Sequence, residues 1–361
     1  MPITRTLRAV FLGVALVALV VACGAAAVLG EVQRPGGPST TPVEFVVQPG
    51  SSTGAIAADL KRAGLINQPL AFSTLVRARA LDSRLQAGRY MLSPSMSMGE
   101  IVAALQSSRV EEVQLTVIEG SRLEEIAALI GSAKLINVDE QRFLTVARNA
   151  AAFQERHFLL SDLPPDSTLE GYLFPDTYRF AVTSTVTEVV ETMLTRFDTQ
   201  YAGFEKEIQV SGVSIHQLVT MASVVQREAA REDEMPKIAA VFWNRLKPEN
   251  AAETGGGKLQ ADPTVQYVLG QRGNWWPKLD SLTGDEINSI SSPYNTRANP
   301  GLPPGPIASP GLAALRAAAQ PDGSARYLYF VASCLNPGAH NFAVTFDEFQ
   351  RYEQEYLACP K

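Results

Sequence analysis

One carboxylate in this chain stands where a charge is costly. The residues from Ser214 to Ala229 read as a helix. Ser214 can cap it, and Ile215, Leu218, Val219, Ala222, Val225 and Ala229 fall on one face at helical spacing. At about 100° per residue, Glu228 lands between Met221 and Val224, away from polar Thr220, Ser223 and Arg227. A carboxyl flanked by apolar side chains loses hydration in its charged form, so its pKa rises. An acid still protonated near neutral pH can serve as a general acid. The ordinary alternative is a Glu on a solvated edge near the helix end, because Glu is seldom fully buried.

Polar loops follow that helix. Leu259-Gln260-Ala261-Asp262-Pro263-Thr264 presents an amide, an acid and a hydroxyl close together, and Ser292-Pro293-Tyr294-Asn295-Thr296-Arg297 adds an aromatic ring. Amides hydrogen-bond hydroxyls and aromatic faces stack on pyranose rings, so such loops suit sugars; Trp275-Trp276 fits the same reading, and equally an ordinary pair of half-buried rings. Gln260, Asp262, Tyr294 and Asn295 are the expected substrate-side residues, against hydrogen bonding internal to the loops. Glu170 and Asp176 are further acids, but beside Gly and Pro they read as turn-capping groups. The three histidines are not paired at metal-ligand spacing and no Cys-x-x-Cys occurs, so no metal or other cofactor is expected.

The elements that must position these groups are legible in outline. The chain has 361 residues, 46% hydrophobic and 19% charged, enough for two or three packed domains. A net charge of −6 argues against nucleic acid as a partner. Arg5 and Arg8 precede an uncharged run, Ala9 to Gly30, and Glu31 follows it. About 20 such residues span a bilayer, and the positive-inside rule puts the bulk of the chain outside the cytoplasm. Ala25-Ala26-Ala27 as a cleavage site and Cys23 as a lipidated residue are rival readings that also export the protein. Val32 to Pro42 reads as a flexible linker.

A repeat then appears. Gly50-Ser51, Ile56-Ala57-Ala58 and Leu65-Ile66-Asn67 return as Gly120-Ser121, Ile126-Ala127-Ala128 and Leu135-Ile136-Asn137, each offset by 70 residues. Each copy opens with a β-type run, Val43 to Gln48 or Val113 to Ile118, turns at Gly and enters two helices; Ser121 with Glu124 forms a capping-box pattern. Leu85 to Leu92 reads as a strand and Met98 to Leu105 as a helix, which makes small α/β modules. Beyond them, Leu163 to Phe180 reads as a structured loop. Val186 to Asp198 and Glu234 to Leu246 read as helices, and Ser309-Pro310 starts another. Strands over Arg326 to Ala332 and His340 to Val344 precede a last helix capped by Thr345 with Glu348. Cys334 and Cys359 flank that final strand and helix. In an oxidising compartment they can pair; two separate buried thiols are the other account.

Taken together, seven segments in order carry a resemblance: LEGYLFPDTY from Leu169, MASVVQREA from Met221, VFWNRL from Val241, LQADPT, SPYNT, GLPPGPIASPG, and YLYFVA followed by His340-Asn341-Phe342. The sequence resembles the endolytic murein transglycosylase (YceG-like) family from about Pro42 to its end. The resemblance implies an α+β chain: a membrane anchor over 1–30, a linker over 31–42, a duplicated LysM-like α/β region over 43–160 and a mixed α/β catalytic domain over 161–361. It implies a single-pass protein of the bacterial inner membrane, with the N-terminus cytoplasmic. It also implies cleavage of peptidoglycan strands between MurNAc and GlcNAc, leaving 1,6-anhydro ends and ending strand elongation, with peptidoglycan synthases among the partners. The family's catalytic acid maps onto Glu228. This chain has Gln226 where many members carry a second acid, and Arg297 where Tyr is common. A hydrolase using Glu228 with Asp262 as base, and a noncatalytic glycan-binding scaffold, are the alternatives.

Overall fold

The computed structural model describes residues 30, 32–107, 112–206, 208 and 212–359. The run Ala9 to Gly30 read as an anchor lies, but for its last residue, outside the described residues. So does Cys23. Among the described residues no helix is long and apolar enough to cross a membrane.

The chain divides into two compact units, one ending at Val113 with 181–183 added, the other formed by Gln114–Phe180 and Ser184 onward. The first unit has the strand–helix–helix–strand order of the repeat: β1 (Val43–Val47), α1 (Thr53–Arg62), α2 (Pro69–Ala78), β2 (Gly88–Leu92), then α3 (Met98–Gln106). β1 and β2 pair antiparallel, Phe45 opposite Tyr90 and Val43 opposite Leu92. Alternation sends Phe45, Val47, Tyr90 and Leu92 to one face, where they join Leu60, Phe72, Val76, Ile101 and Leu105 in a single core. Ser52 and Ser97 cap α1 and α3, and Ser97 with Glu100 completes a capping box. The segment expected to be a flexible linker is tied down. Pro35 O accepts from Asn67, Gly37 N donates to Pro94 O, and a Cβ on Gly36 would lie 2.4 Å from the Leu65 carbonyl oxygen.

The second unit contains the other repeat copy as well as the loops. β3 (Glu112–Thr116) leads into the hairpin of α4 (Leu123–Ser132) and α5 (Glu140–Ala147) and pairs with β4 (Thr177–Ala181). The segment read as a loop up to Phe180 thus ends as a strand, with Thr116 Oγ1 2.9 Å from Thr177 Oγ1. The capping box expected from Ser121 and Glu124 is displaced by one residue: Arg122 N donates to Glu125 Oε2, while Glu124 pairs with Arg122 and Arg148.

Next come α6 (Val186–Tyr201), α7 (Ile215–Glu228), α8 (Met235–Arg245), α9 (Asp262–Leu269), α10 (Gly284–Ser289) and α11 (Leu312–Ala319). α7 is the central element, packed against α8, α9 and α11. Its expected apolar face is buried, and so is the side read as polar: Thr220 and Ser223 are 1% and 0% exposed. Ser223 satisfies its hydroxyl by donating to Thr220 O and accepting from Ile307 N, 84 residues away. The Thr220 hydroxyl, equally buried, has no such partner among the described residues. α11 starts at Leu312 rather than Pro310, because Ser309 exchanges backbone hydrogen bonds with Gly120 and Ser121. The chain closes with an antiparallel pair, β5 (Tyr329–Ala332) and β6 (His340–Ala343), and α12 (Phe346–Leu357) packed on it. Cys334 and Cys359 form a disulfide, Cα atoms 6.3 Å apart, that ties the end of α12 to the segment after β5.

Candidate active site

Glu228 is the last residue of α7. Ser214 sets the start of that helix by accepting from Gln217 N, and the backbone turns extended at Ala229. The side chain is half-buried, between the fully buried Met221 and Val224 turns, and it opens on a cavity of about 360 Å³. Burial pushes its pKa up to about 8; Asp262 pushes in the same direction, and Arg297 and Arg227 oppose it. The carbonyl end of α7 is a further place where negative charge is disfavoured. No group among the described residues hydrogen-bonds the Glu228 carboxyl. It is therefore free to give a proton to something in the cavity and to take one back.

Asp262, the first residue of α9, also lines the cavity. Arg297 grips it: Nε and Nη2 each lie 2.6 Å from Asp262 Oδ1. Gln260 lines the same cavity in a left-handed backbone conformation, φ 57°, and its Oε1 accepts from Arg245 Nη2. Arg245 spends its other donors on the carbonyls of Lys258 and Leu328. The two loops are knotted beneath the cavity, where the Thr264 and Thr296 hydroxyls lie 2.9 Å apart and Ala261 N donates to Thr296 Oγ1.

Of the residues expected on the substrate side, Gln260 and Asp262 thus meet Glu228 at one cavity. Tyr294 does not line it. Tyr294 faces a second cavity of about 250 Å³ with Glu170 and His216, its ring 5.1 Å from that of Tyr267. Asn295 is fully buried; its Nδ2 donates to the carbonyls of Ile287 and Ile290 and its Oδ1 accepts from Arg297 N. Its place is inside the loop, holding the backbone from which Arg297 reaches Asp262. Arg245 and Arg297 line the cavity and were not among the expected residues. Arg297 carried a signal, an arginine directly after SPYNT; Arg245 looked like the ordinary end of an amphipathic helix. The tryptophans are already occupied: the Arg227 guanidinium sits 3.8 Å from the Trp276 ring and that of Arg122 4.8 Å from Trp275. Gln226 accepts from Gly311 N and so anchors the start of α11.

Most of the described range matches one family. The model of the YceG-like family covers residues 45–355. The chain belongs to the YceG-like family. This YceG-like chain is 33% identical over 338 residues to the endolytic murein transglycosylase of Bacillus subtilis strain 168, a match spanning 89% of this chain and 86% of that protein. It is 31% identical over 329 residues to the endolytic murein transglycosylase of Streptococcus pneumoniae serotype 2, spanning 85% of this chain and 57% of the pneumococcal protein. The crystal structure of a yceG-like protein of Listeria monocytogenes superposes with a TM-score of 0.56 at 30% identity, over 86% of this chain and 98% of that one. The mixed α/β architecture with small sheets is therefore the YceG-like fold.

Proposed function

We propose that this protein is an endolytic murein transglycosylase that cuts peptidoglycan strands between MurNAc and GlcNAc. The observation that carries the reading is Glu228: a desolvated carboxyl with no hydrogen-bond partner among the described residues, open on a cavity that Gln260, Asp262 and Arg297 also line. Protonated near neutral pH, it donates to the glycosidic oxygen as the C1–O bond breaks. The C6 hydroxyl of the same MurNAc attacks the oxocarbenium-like C1, and Glu228, now a carboxylate, takes that hydroxyl's proton. No water is consumed, the acid is regenerated, and a 1,6-anhydro end is left. A hydrolase would need a second free carboxylate as base or nucleophile. Asp262 is the nearest candidate, and its engagement by Arg297 speaks against that role.

The reading is tested on uncrosslinked glycan strands by mass analysis of fragments, with a Glu228→Gln control. Fragments whose masses sum to that of the parent, absent with the variant, are expected. Fragments heavier by one water would replace the transglycosylase with a hydrolase. The same reading places the chain in the bacterial cytoplasmic membrane. Ala9 to Gly30 is its single-pass anchor, the first unit a LysM-like module, and peptidoglycan synthases are the partners whose nascent strands it ends. Alkaline phosphatase fused after Lys361 should be active in cells; an inactive fusion would reverse the orientation.

A further inference from the structure

The cavity at Glu228 has two unlike walls. One is the polar set already described. The other is aromatic, and the proposed chemistry makes no use of it: Tyr329 from β5, and Phe346, Phe349 and Glu353 from α12. The three α12 residues follow at i, i+3 and i+7, so they share one helix face. The Phe346 and Phe349 rings lie nearly parallel, centroids 6.0 Å apart with 27° between planes, and Tyr329 stands 5.8 and 5.4 Å from them. Packing explains part of this cluster, since Phe349 supports the small core of Leu328, Tyr329 and Ala343. It does not explain Phe346, which stays 48% exposed at the rim of the cavity. The helix bearing the rings is fixed at both ends, by the Thr345–Glu348 capping box and by the Cys334–Cys359 disulfide.

We propose that this face of α12 is a sugar subsite for the same glycan strand, and that it takes an uncharged N-acetylglucosamine residue. The inference rests on the glycan-cleaving function proposed above. A pyranose presents a flat face of C–H groups that packs on aromatic rings, while its rim of hydroxyls and its acetamido N–H need acceptors. Phe346 and Phe349 supply the rings, and Glu353 supplies an acceptor on the same helix face. Charge selects between the two sugars. A muramic acid carries a lactyl carboxylate or a peptide stem with further carboxylates, and Glu353 would repel either; N-acetylglucosamine carries none. The subsite is continuous with the cavity at Glu228, so a sugar stacked there belongs to the strand being cut.

The test uses the full-length protein carrying Glu228→Gln, which holds glycan without cutting it, and the uncharged oligomer chitotetraose as the probe. Adding Phe346→Ala should weaken chitotetraose binding by about tenfold, while Phe346→Trp should restore it. In the protein with Glu228 intact, Phe346→Ala should raise KM for glycan strands by a similar factor and change kcat less than about twofold. Phe346 is half exposed, so its removal leaves the thermal midpoint in place; a lowered midpoint with kcat and KM both impaired would mean the ring only supports the fold, and would overturn the proposal. Unchanged chitotetraose affinity in Phe346→Ala, with glycan still cut by the unsubstituted protein, would overturn the subsite and leave the proposed function standing. Failure of the unsubstituted protein to cut glycan would remove both.

Discussion

Two glutamates in this protein are pushed in the same direction by burial and stand in opposite situations. Burial lifts both Glu228 and Glu170 from 4.5 to about 8. Glu170 is 4% exposed, and its carboxyl is occupied: Leu123 N donates to both oxygens at 3.0 and 3.1 Å, and the Tyr267 hydroxyl donates to Oε2 at 3.3 Å. It closes the first turn of α4, where an orphan N–H needs an acceptor, and that hydrogen bond offsets only part of the rise that burial causes. Glu228 stands at the opposite, carbonyl end of α7, with no such donor among the described residues and a cavity before it. A raised pKa therefore marks a group that has been desolvated; whether it can do chemistry depends on whether its oxygens are already in use.

The largest expected contrast is in turnover. Glu228→Gln should lower the release of cleaved glycan by about a thousandfold, the scale of a lost general acid, and Glu170→Gln by less than about tenfold. Both are read by fragment mass analysis on protein of matched fold by circular dichroism. Equal losses would mean that Glu170 shares the chemistry and that the distinction drawn from hydrogen bonding is wrong. The contrast should invert for stability. Glu170→Ala strands Leu123 N–H and the Tyr267 hydroxyl and should destabilise the second unit by about 2 kcal/mol. Glu228→Gln removes a desolvated acid that has no partner and should cost nothing measurable in urea unfolding, or add stability at alkaline pH.

The sequence pattern made one of these glutamates legible and left the other obscure, for physical reasons. The periodicity of α7 is local, so the position of Glu228 between Met221 and Val224 could be read from the wheel, as could the Ser214 cap. The partner of Glu170 lies 47 residues away, and nothing in LEGYLFPDTY points to α4; the acid looked like the cap of its own turn. The same limit governs the rest. Ser223 reads as part of a polar stripe because the Ile307 amide that accompanies its burial comes from a distant loop. The repeat showed two strand–helix–helix modules, but β4, which completes the second, follows a long irregular stretch rich in Pro and Gly. Gln260 and Asn295 looked equivalent as loop amides. Asn295 turns inward onto carbonyls only 8 and 5 residues before it, while Gln260 stays at the cavity on Arg245, 15 residues away on α8; loop composition alone distinguishes neither.

Smaller effects should follow from pH. Each glutamate holds, in the folded state, a proton that the unfolded chain releases above about 4.5. The folded state thus binds more protons between about 4.5 and 8, so stability falls as pH rises through that window. Urea midpoints measured at intervals from pH 4 to 9 should show the decline, and Glu170→Gln and Glu228→Gln should each remove part of it. A stability that rises over this range would contradict the protonation of both groups. Activity should fall as pH rises through about 8, where Glu228 loses its proton.

The finest test moves one glutamate and leaves the other. Asp262 raises the Glu228 pKa and Arg297 lowers it, while neither contributes at Glu170, whose neighbouring charges are Glu124 and Arg122. Asp262→Asn removes a repelling charge and frees the Arg297 guanidinium from its ion pair. Both changes favour the charged form of Glu228, so the alkaline limb of kcat/KM should move to lower pH. Arg297→Leu should move it the other way. The Glu170 titration, followed by carbon NMR of labelled glutamate carboxyls, should stay where it is in both variants. An unmoved limb in Asp262→Asn would mean that the limb reports a group other than Glu228. If the Glu170 signal moved as well, the two carboxyls would have to be treated as one coupled electrostatic system.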